Sequence, residues 1–416
     1  MFQALCHVQN WLRLAHYDCV MTVLLTTTML WPSVARLAAA FAGVGVEVEA
    51  LLPAGHAAAK SRFVARTHGY DPLFPLGALT RAVAHAAPDL VVPCDDRALT
   101  QLLALPDQDG LLARSLGQVA NYATLLARKD FICAARDAGI VAPKTIRLER
   151  EHDLEAALAE IGFPAVLKVD GSWGGDGTAV VHDVEQAHAA YARLGAAPTR
   201  GRSVMRAILR RDSHFLREAL SPRPRTVNLQ AFVPGKPATS AFACWKGRVL
   251  ASIHVDVLET LHPHGPATVM RRVDCPQMER AAVTLAERFG LSGLHGLDFV
   301  RDELGQPHLI EMNPRATQAS AFAFGPGHDL AAALAGCLTP SARWPRPLVT
   351  ENPVIALFPQ EWRRDPQSAW LHSAYPDVPW DDPDVLRACL GPGERPPERQ
   401  RPEAGRALTL RQAVGR

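Results

Sequence analysis

From residue 22 onward the chain alternates short apolar runs with segments of helical period. The pattern predicts a strand over 22–28, a helix over 33–43, strands over 46–52 and 89–93, and a helix over 99–105. Strands and helices in that order predict a parallel sheet of Rossmann type. Residues 1–20 show no clear period, which marks them as an extension and Met21 as a candidate start. Asn121 is placed to cap a helix running to Ala138, with Gly139 as its stop. There follow a strand over 144–148, a helix over 153–161, strands over 163–169 and 179–182, and a helix over 184–194. Strands over 226–233, 240–245 and 248–255 and a helix over 277–289 lead to a hairpin, 294–302 with 308–313. After a helix beyond Leu330 and a mixed segment over 354–380, the tail from 391 is rich in Pro, Arg and Glu and reads as peripheral.

The hairpin carries the densest chemistry. Folded about its turn at 303–307, it sets Asp298 opposite Glu311. Side chains alternate along a strand, so Asn313 shares the face of Glu311, while Leu297, Phe299, Ile310 and Met312 point the other way. Like charges directly opposite on a ladder repel and ask for a cation. Asp, Glu and Asn oxygens converging on one face suit a hard divalent ion such as Mg²⁺. A solvated sheet edge is the alternative, but it leaves the three oxygen side chains over an apolar face unexplained.

Two further features bear on that ion. Lys168 lies in the apolar run 163–169, where an unpaired ammonium is costly. The loop 170–178 follows, with Ser172, Gly174, Gly175, Gly177 and Thr178, and leads into another strand. Strand, glycine loop and strand make a hairpin over a ligand, in which bare backbone N–H groups wrap phosphate oxygens. By contrast, the turn after the first strand contains no glycine, which counts against a dinucleotide-binding turn.

Composition narrows the field further. At 416 residues the chain has room for two or three domains, and 48% apolar with 21% charged residues is ordinary for a soluble protein. A net charge of +2 gives no ground for a nucleic-acid partner. The arginine-rich segment 199–225 lacks interleaved aromatics and reads as a solvated helix beside an anionic substrate pocket. Eight scattered cysteines without CxxC spacing fit reduced thiols, and no apolar run is long enough to span a bilayer. A cytoplasmic protein is expected. Only six lysines stand against 38 arginines, so each lysine is informative by itself.

Taken in order, Lys129, Lys168, the loop 170–178, the run Leu-Gln-Ala-Phe-Val-Pro-Gly at 229–235 and Asp298…Glu311-x-Asn313-Pro-Arg315 resemble the ATP-grasp superfamily over residues 21–345. The resemblance implies an α/β protein with an α+β lid. It divides the chain into an extension (1–20), a Rossmann-like domain (21–120), a linker helix and lid (121–232), a metal-bearing subdomain (233–345) and a C-terminal segment (346–416). It implies ATP as cofactor with one or two Mg²⁺, for which Mn²⁺ substitutes, held by Asp298, Glu311 and Asn313. Lys129 and Lys168 would meet the phosphates and Ser172 to Thr178 would close over them. Gln230, Ala231, Phe232 and Val233 would border the base. Arg315, with Arg271 or Arg272, would steady the acid and its acyl phosphate. The family's acidic residue after the hinge glycine is replaced here by Lys236 and Pro237.

The implied reaction is ADP-forming ligation of a small carboxylic acid to an amine, in a protein for which a homodimer is compatible. A bicarbonate-using carboxylase or carbamoyl-phosphate-type enzyme, or a non-catalytic ATP-binding module, are the alternatives.

Overall fold

The computed structural model describes residues 21–107, 109–171, 177–196, 200–210, 225–263, 265–338, 346–390 and 394. The extension 1–20, the loop residues Ser172, Gly174 and Gly175, much of the arginine-rich segment and the tail from 391, Glu394 apart, lie outside them.

The first sheet is parallel, ordered β3-β2-β1-β4, with β1 Thr22–Thr26, β2 Glu47–Leu52, β3 Arg66–Gly69 and β4 Leu90–Pro93. Its central strand β1, TVLLT, is buried almost throughout, as befits a parallel strand covered on both faces. Strand order reverses between β1 and β4. Directly beyond β4, Asp95 caps the helix Asp96–Leu103 by accepting from the Ala98 N–H at 2.9 Å. Asp95 also accepts from the Thr28 N–H and the Thr27 hydroxyl at 2.6 and 2.8 Å. A carboxylate thus shapes the glycine-free turn after β1.

The second sheet is small and antiparallel, ordered β5-β8-β6-β7, with β5 Thr145–Leu148, β6 Ala165–Val169, β7 Thr178–Val181 and β8 Val227–Ala231. Helices Asp153–Ile161 and Val184–Gly195 cover one face and share an apolar cluster with it.

The third sheet has seven strands, ordered β13-β12-β9-β10-β11-β14-β15. They are β9 Lys236–Trp245, β10 Arg248–Thr260, β11 Ala267–Arg272, β12 Gly293–Arg301, β13 Pro307–Asn313, β14 Val354–Ala356 and β15 Tyr375–Pro376. One face shares a core with the parallel sheet, through Ala241, Ile253, Val255 and Met270. The other packs under the helix Pro276–Phe289, through Phe242, Leu297 and Phe299. That helix opens with Pro276 and stops at Gly290, whose φ of 58° is left-handed. Among the described residues no helix is long and apolar enough to cross a membrane.

Three expectations are corrected. Strand β11 lacked a separate prediction, and the C-terminal segment supplies β14 and β15 to the large sheet. The helix expected from Asn121 to Ala138 is two, Tyr122–Leu126 and Arg128–Asp137, parted by Ala127 in an extended conformation (φ −93°, ψ 101°). Asn121 does not cap; its amide donates to the carbonyl oxygen of Phe289 at 2.8 Å. Finally, the hairpin β12–β13 is irregular between Asp298 and Phe299, where the partner steps from Glu311 to Leu309. The bulge puts Leu309 rather than Ile310 into the core.

Candidate active site

Where the small second sheet, the lid sheet expected from the resemblance, meets the edge of the large sheet, charged side chains from four segments converge. Asp298 and Glu311 are register partners on β12 and β13. The Asp298 carboxyl is pushed above its ordinary range by burial and by the charge of Glu311. Asn313 donates from Nδ2 to Asp298 Oδ2 at 2.9 Å.

Lys168 projects from β6 and is 6% exposed. Among the described residues its ammonium has no hydrogen-bond or ion-pair partner. Burial, reinforced by the nearby Arg128 charge, lowers its pKa from 10.5 to about 8, against the pull of Glu311 and Asp298. A buried ammonium facing two carboxylates without touching them is prepared for an anionic ligand. Opposite Lys168 on the lid ladders stand Thr178 and Asn228.

Lys129, expected at the phosphates, faces outward. Its side chain is 41% exposed and pairs with Asp130 at 3.5 Å. The structure gives the inner position to its neighbour Arg128, 7% exposed, with Nη1 2.7 Å from Glu311 Oε2. Burial alone would depress the Arg128 pKa, but Glu311 and then Asp170 raise it, so the guanidinium stays charged. Arg128 also donates its backbone N–H to Asp170 Oδ1 at 3.3 Å, and Asp170 accepts from Asn228 at 2.8 Å. The extended residue Ala127 makes Arg128 the first residue of its helix and turns it inward.

Gln230 is 1% exposed. Its amide donates to Thr145 Oγ1 at 3.0 Å and reaches the Ile310 carbonyl at 3.5 Å, stitching β8 to β5 and to the large sheet. Ala231 fixes the strand end by donating to the Lys144 carbonyl at 2.9 Å, and Phe232 and Val233 follow with more exposure. Gly235 ends this segment at φ 155°, where an added Cβ would meet the Arg301 carbonyl oxygen at 2.2 Å. Only glycine lets the chain pass that close to β12.

The arginines divide by face. Asp298 pairs with Thr239, Thr239 with Val255 and Val255 with Arg272, so Arg272 shares the face of Asp298. Three strand spacings put it roughly 14 Å away. Arg271 lies on the opposite face, half exposed, with Nη2 donating to Asp256 at 2.9 Å, which removes it from the site. Arg315 is fully engaged. It makes two bonds to Asp96, Nε to Oδ1 at 2.8 Å and Nη2 to Oδ2 at 3.2 Å. Nη2 also donates to Asn313 Oδ1 at 2.9 Å and Nη1 to the Ala316 carbonyl at 3.2 Å. Asp96 had no signal in the sequence, because only the tertiary fold brings it to the hairpin.

Among the described residues no group of three or more His, Cys, Asp or Glu forms a metal cluster. The Asp298–Glu311 pair, with Asn313 beside it, still fits a hard divalent ion when an anionic ligand completes the shell. Burial and mutual repulsion of the two carboxyls favour such a cation. Asn313 turns its carbonyl oxygen toward Arg315, so its second lone pair is the one left for a metal.

Residues 134–319 match the family profile described as the ATP-grasp domain. Over 174 residues the chain is 26% identical to formate-dependent phosphoribosylglycinamide formyltransferase of Sodalis glossinidius (strain morsitans). That alignment covers 41% of this chain and 43% of the relative, less than half its length. Among solved structures, N5-carboxyaminoimidazole synthetase from Staphylococcus aureus complexed with ADP superposes with a TM-score of 0.54 at 12% identity, covering 82% of this chain and 83% of that one. The biotin carboxylase domain of Hydrogenobacter thermophilus 2-oxoglutarate carboxylase, in complex with MgADP, ADP and bicarbonate, gives 0.51 at 14% identity, covering 77% and 70%. At these identities the structural likeness is one of fold.

Proposed function

We propose that this chain, whose residues 134–319 match the ATP-grasp domain, is an ATP-dependent carboxylate–amine ligase working through an acyl phosphate. One observation carries this reading: Lys168 and Arg128 converge on the Asp298–Glu311 pair at the join of the two sheets. Two cations and two carboxylates so placed suit a nucleotide triphosphate with its divalent ion.

ATP lies between the lid sheet and the large sheet, its base beside residues 230–233. Lys168 and Arg128 hold the phosphates, and Thr178, opposite Lys168, lies beside them. Asp298 and Glu311 would hold Mg²⁺, or Mn²⁺ in its place, with Asn313 adjoining. When bound, that ion would supply positive charge to offset the phosphates. Arg272, on the same sheet face, receives the acid. A carboxylate oxygen of the acid attacks the γ-phosphorus, the β–γ bridge breaks and ADP leaves. The amine nitrogen then attacks the acyl carbon, the C–O bond to phosphate breaks, and the nitrogen loses a proton to give the amide.

A second reading is favoured by what the relatives are named for. Formate, a carboxyamino product and bicarbonate all point to one-carbon acids. A bicarbonate- or formate-using enzyme therefore stands beside the amide-forming ligase. ADP release with panels of acids and amines tests both. Turnover that needs a multi-carbon acid and an amine supports the ligase, and turnover that needs bicarbonate or formate supports the second reading. Tight ATP binding without turnover in any panel would overturn both in favour of a binding module.

A further inference from the structure

We propose that Asp96 is a positioning residue for the metal site, acting through Arg315 and Asn313; the inference rests on Asp298 and Glu311 being the metal carboxylates. Asp96 opens the helix beyond β4 and lies outside the stretch 134–319 that matches the ATP-grasp domain. Its two oxygens grip Arg315 at 2.8 and 3.2 Å, the parallel fork that aims a guanidinium as well as pairing it. Both side chains are largely withdrawn from water, 16% and 23% exposed. A second tie from the same strand end, the Ala316 N–H donating to the Pro93 carbonyl at 3.0 Å, holds the segment after the hairpin in place.

The consequences run along the bonds. Arginine only donates, so Arg315 dictates that Asn313 offers it the carbonyl oxygen, leaving the NH₂ group for Asp298 Oδ2 at 2.9 Å. Asp96 therefore sets which Asn313 atom faces the metal carboxylate. It also sets the charge. Asp298 and Glu311 are balanced by Arg128 and Lys168, and Asp96 balances Arg315. Without Asp96, a guanidinium left with only the weaker pull of Asp95 beside Asp298 competes with a divalent ion for the same oxygens.

The test is Mn²⁺ binding in the presence of ADP, read by electron paramagnetic resonance, with no acid or amine present. Asp96→Asn should weaken Mn²⁺ binding about tenfold or more, within the range for outer-shell partners of metal ligands. ADP affinity without metal should stay close to wild type while the thermal midpoint falls, and Asp96→Glu should recover much of both losses. Arg315→Gln removes the competing cation, so adding Asp96→Asn to it should cost no more. Additive losses, or wild-type Mn²⁺ binding in Asp96→Asn, would overturn the inference while leaving the metal site standing. Failure of the wild-type protein to bind Mn²⁺ with ADP would overturn the metal site and the inference together.

Discussion

Raising the pH should loosen nucleotide binding, and Lys168 should be the reason. Its ammonium titrates at about 8 in the ligand-free protein instead of 10.5, because it is buried and lies beside Arg128. That difference corresponds to about 3 kcal/mol spent on keeping the charge. A phosphate against the ammonium returns this energy, so the bound form should stay protonated well above pH 8. Nucleotide affinity should then be level below pH 8 and fall about tenfold per unit above it, giving roughly a tenfold loss between pH 7 and 9. Titration calorimetry with ADP, in buffers of different ionisation heat, reads both the affinity and the proton taken up. Lys168→Met should bind more weakly and lose the slope. The stability of the free protein should move the other way. Between pH 8 and 10.5 the unfolded chain holds the extra proton, so free-protein stability should rise with pH there. A flat wild-type affinity profile, or a slope that survives in Lys168→Met, would refute the reasoning.

The exchange of roles between neighbours is testable by substitution. Arg128→Ala should raise KM for ATP about tenfold or more, since it removes a charge-assisted contact from a buried site. Lys129→Ala, on the exposed side, should stay within about twofold of wild type. Gly235→Ala forces a Cβ against the Arg301 carbonyl and should cost about 3 kcal/mol in urea unfolding, against about 1 kcal/mol for Gly139→Asn, whose Cβ meets open space but whose φ of 80° is left-handed. Glu311→Gln strands the buried Arg128 guanidinium, so it should lower the thermal midpoint of the free protein as well as abolish ADP release.

The hairpin was legible because a two-residue period and a short turn determine the register, and Asp298 does face Glu311. The bulge beside it was not, since nothing in the run His-Leu-Ile-Glu marks which residue is extra. Lys168 could be read from its apolar flanks. Arg128 could not, because the extended residue that turns it inward is an alanine, with no glycine or proline to announce the break. Arg271 and Arg272 could be told apart only through the parity of β11, which in turn depends on three neighbouring strands. Asp96 sits 219 residues from Arg315 and meets it only once the parallel sheet docks against the large one.

The central claim is that a carboxylate attacks ATP directly. With whichever acid the ADP-release panel selects, labelling its carboxylate with ¹⁸O tests this through the mass of the inorganic phosphate released on ligation. The account predicts one ¹⁸O transferred to phosphate per turnover, and no labelled phosphate from Glu311→Gln. Phosphate released without label during amine-dependent turnover would contradict it.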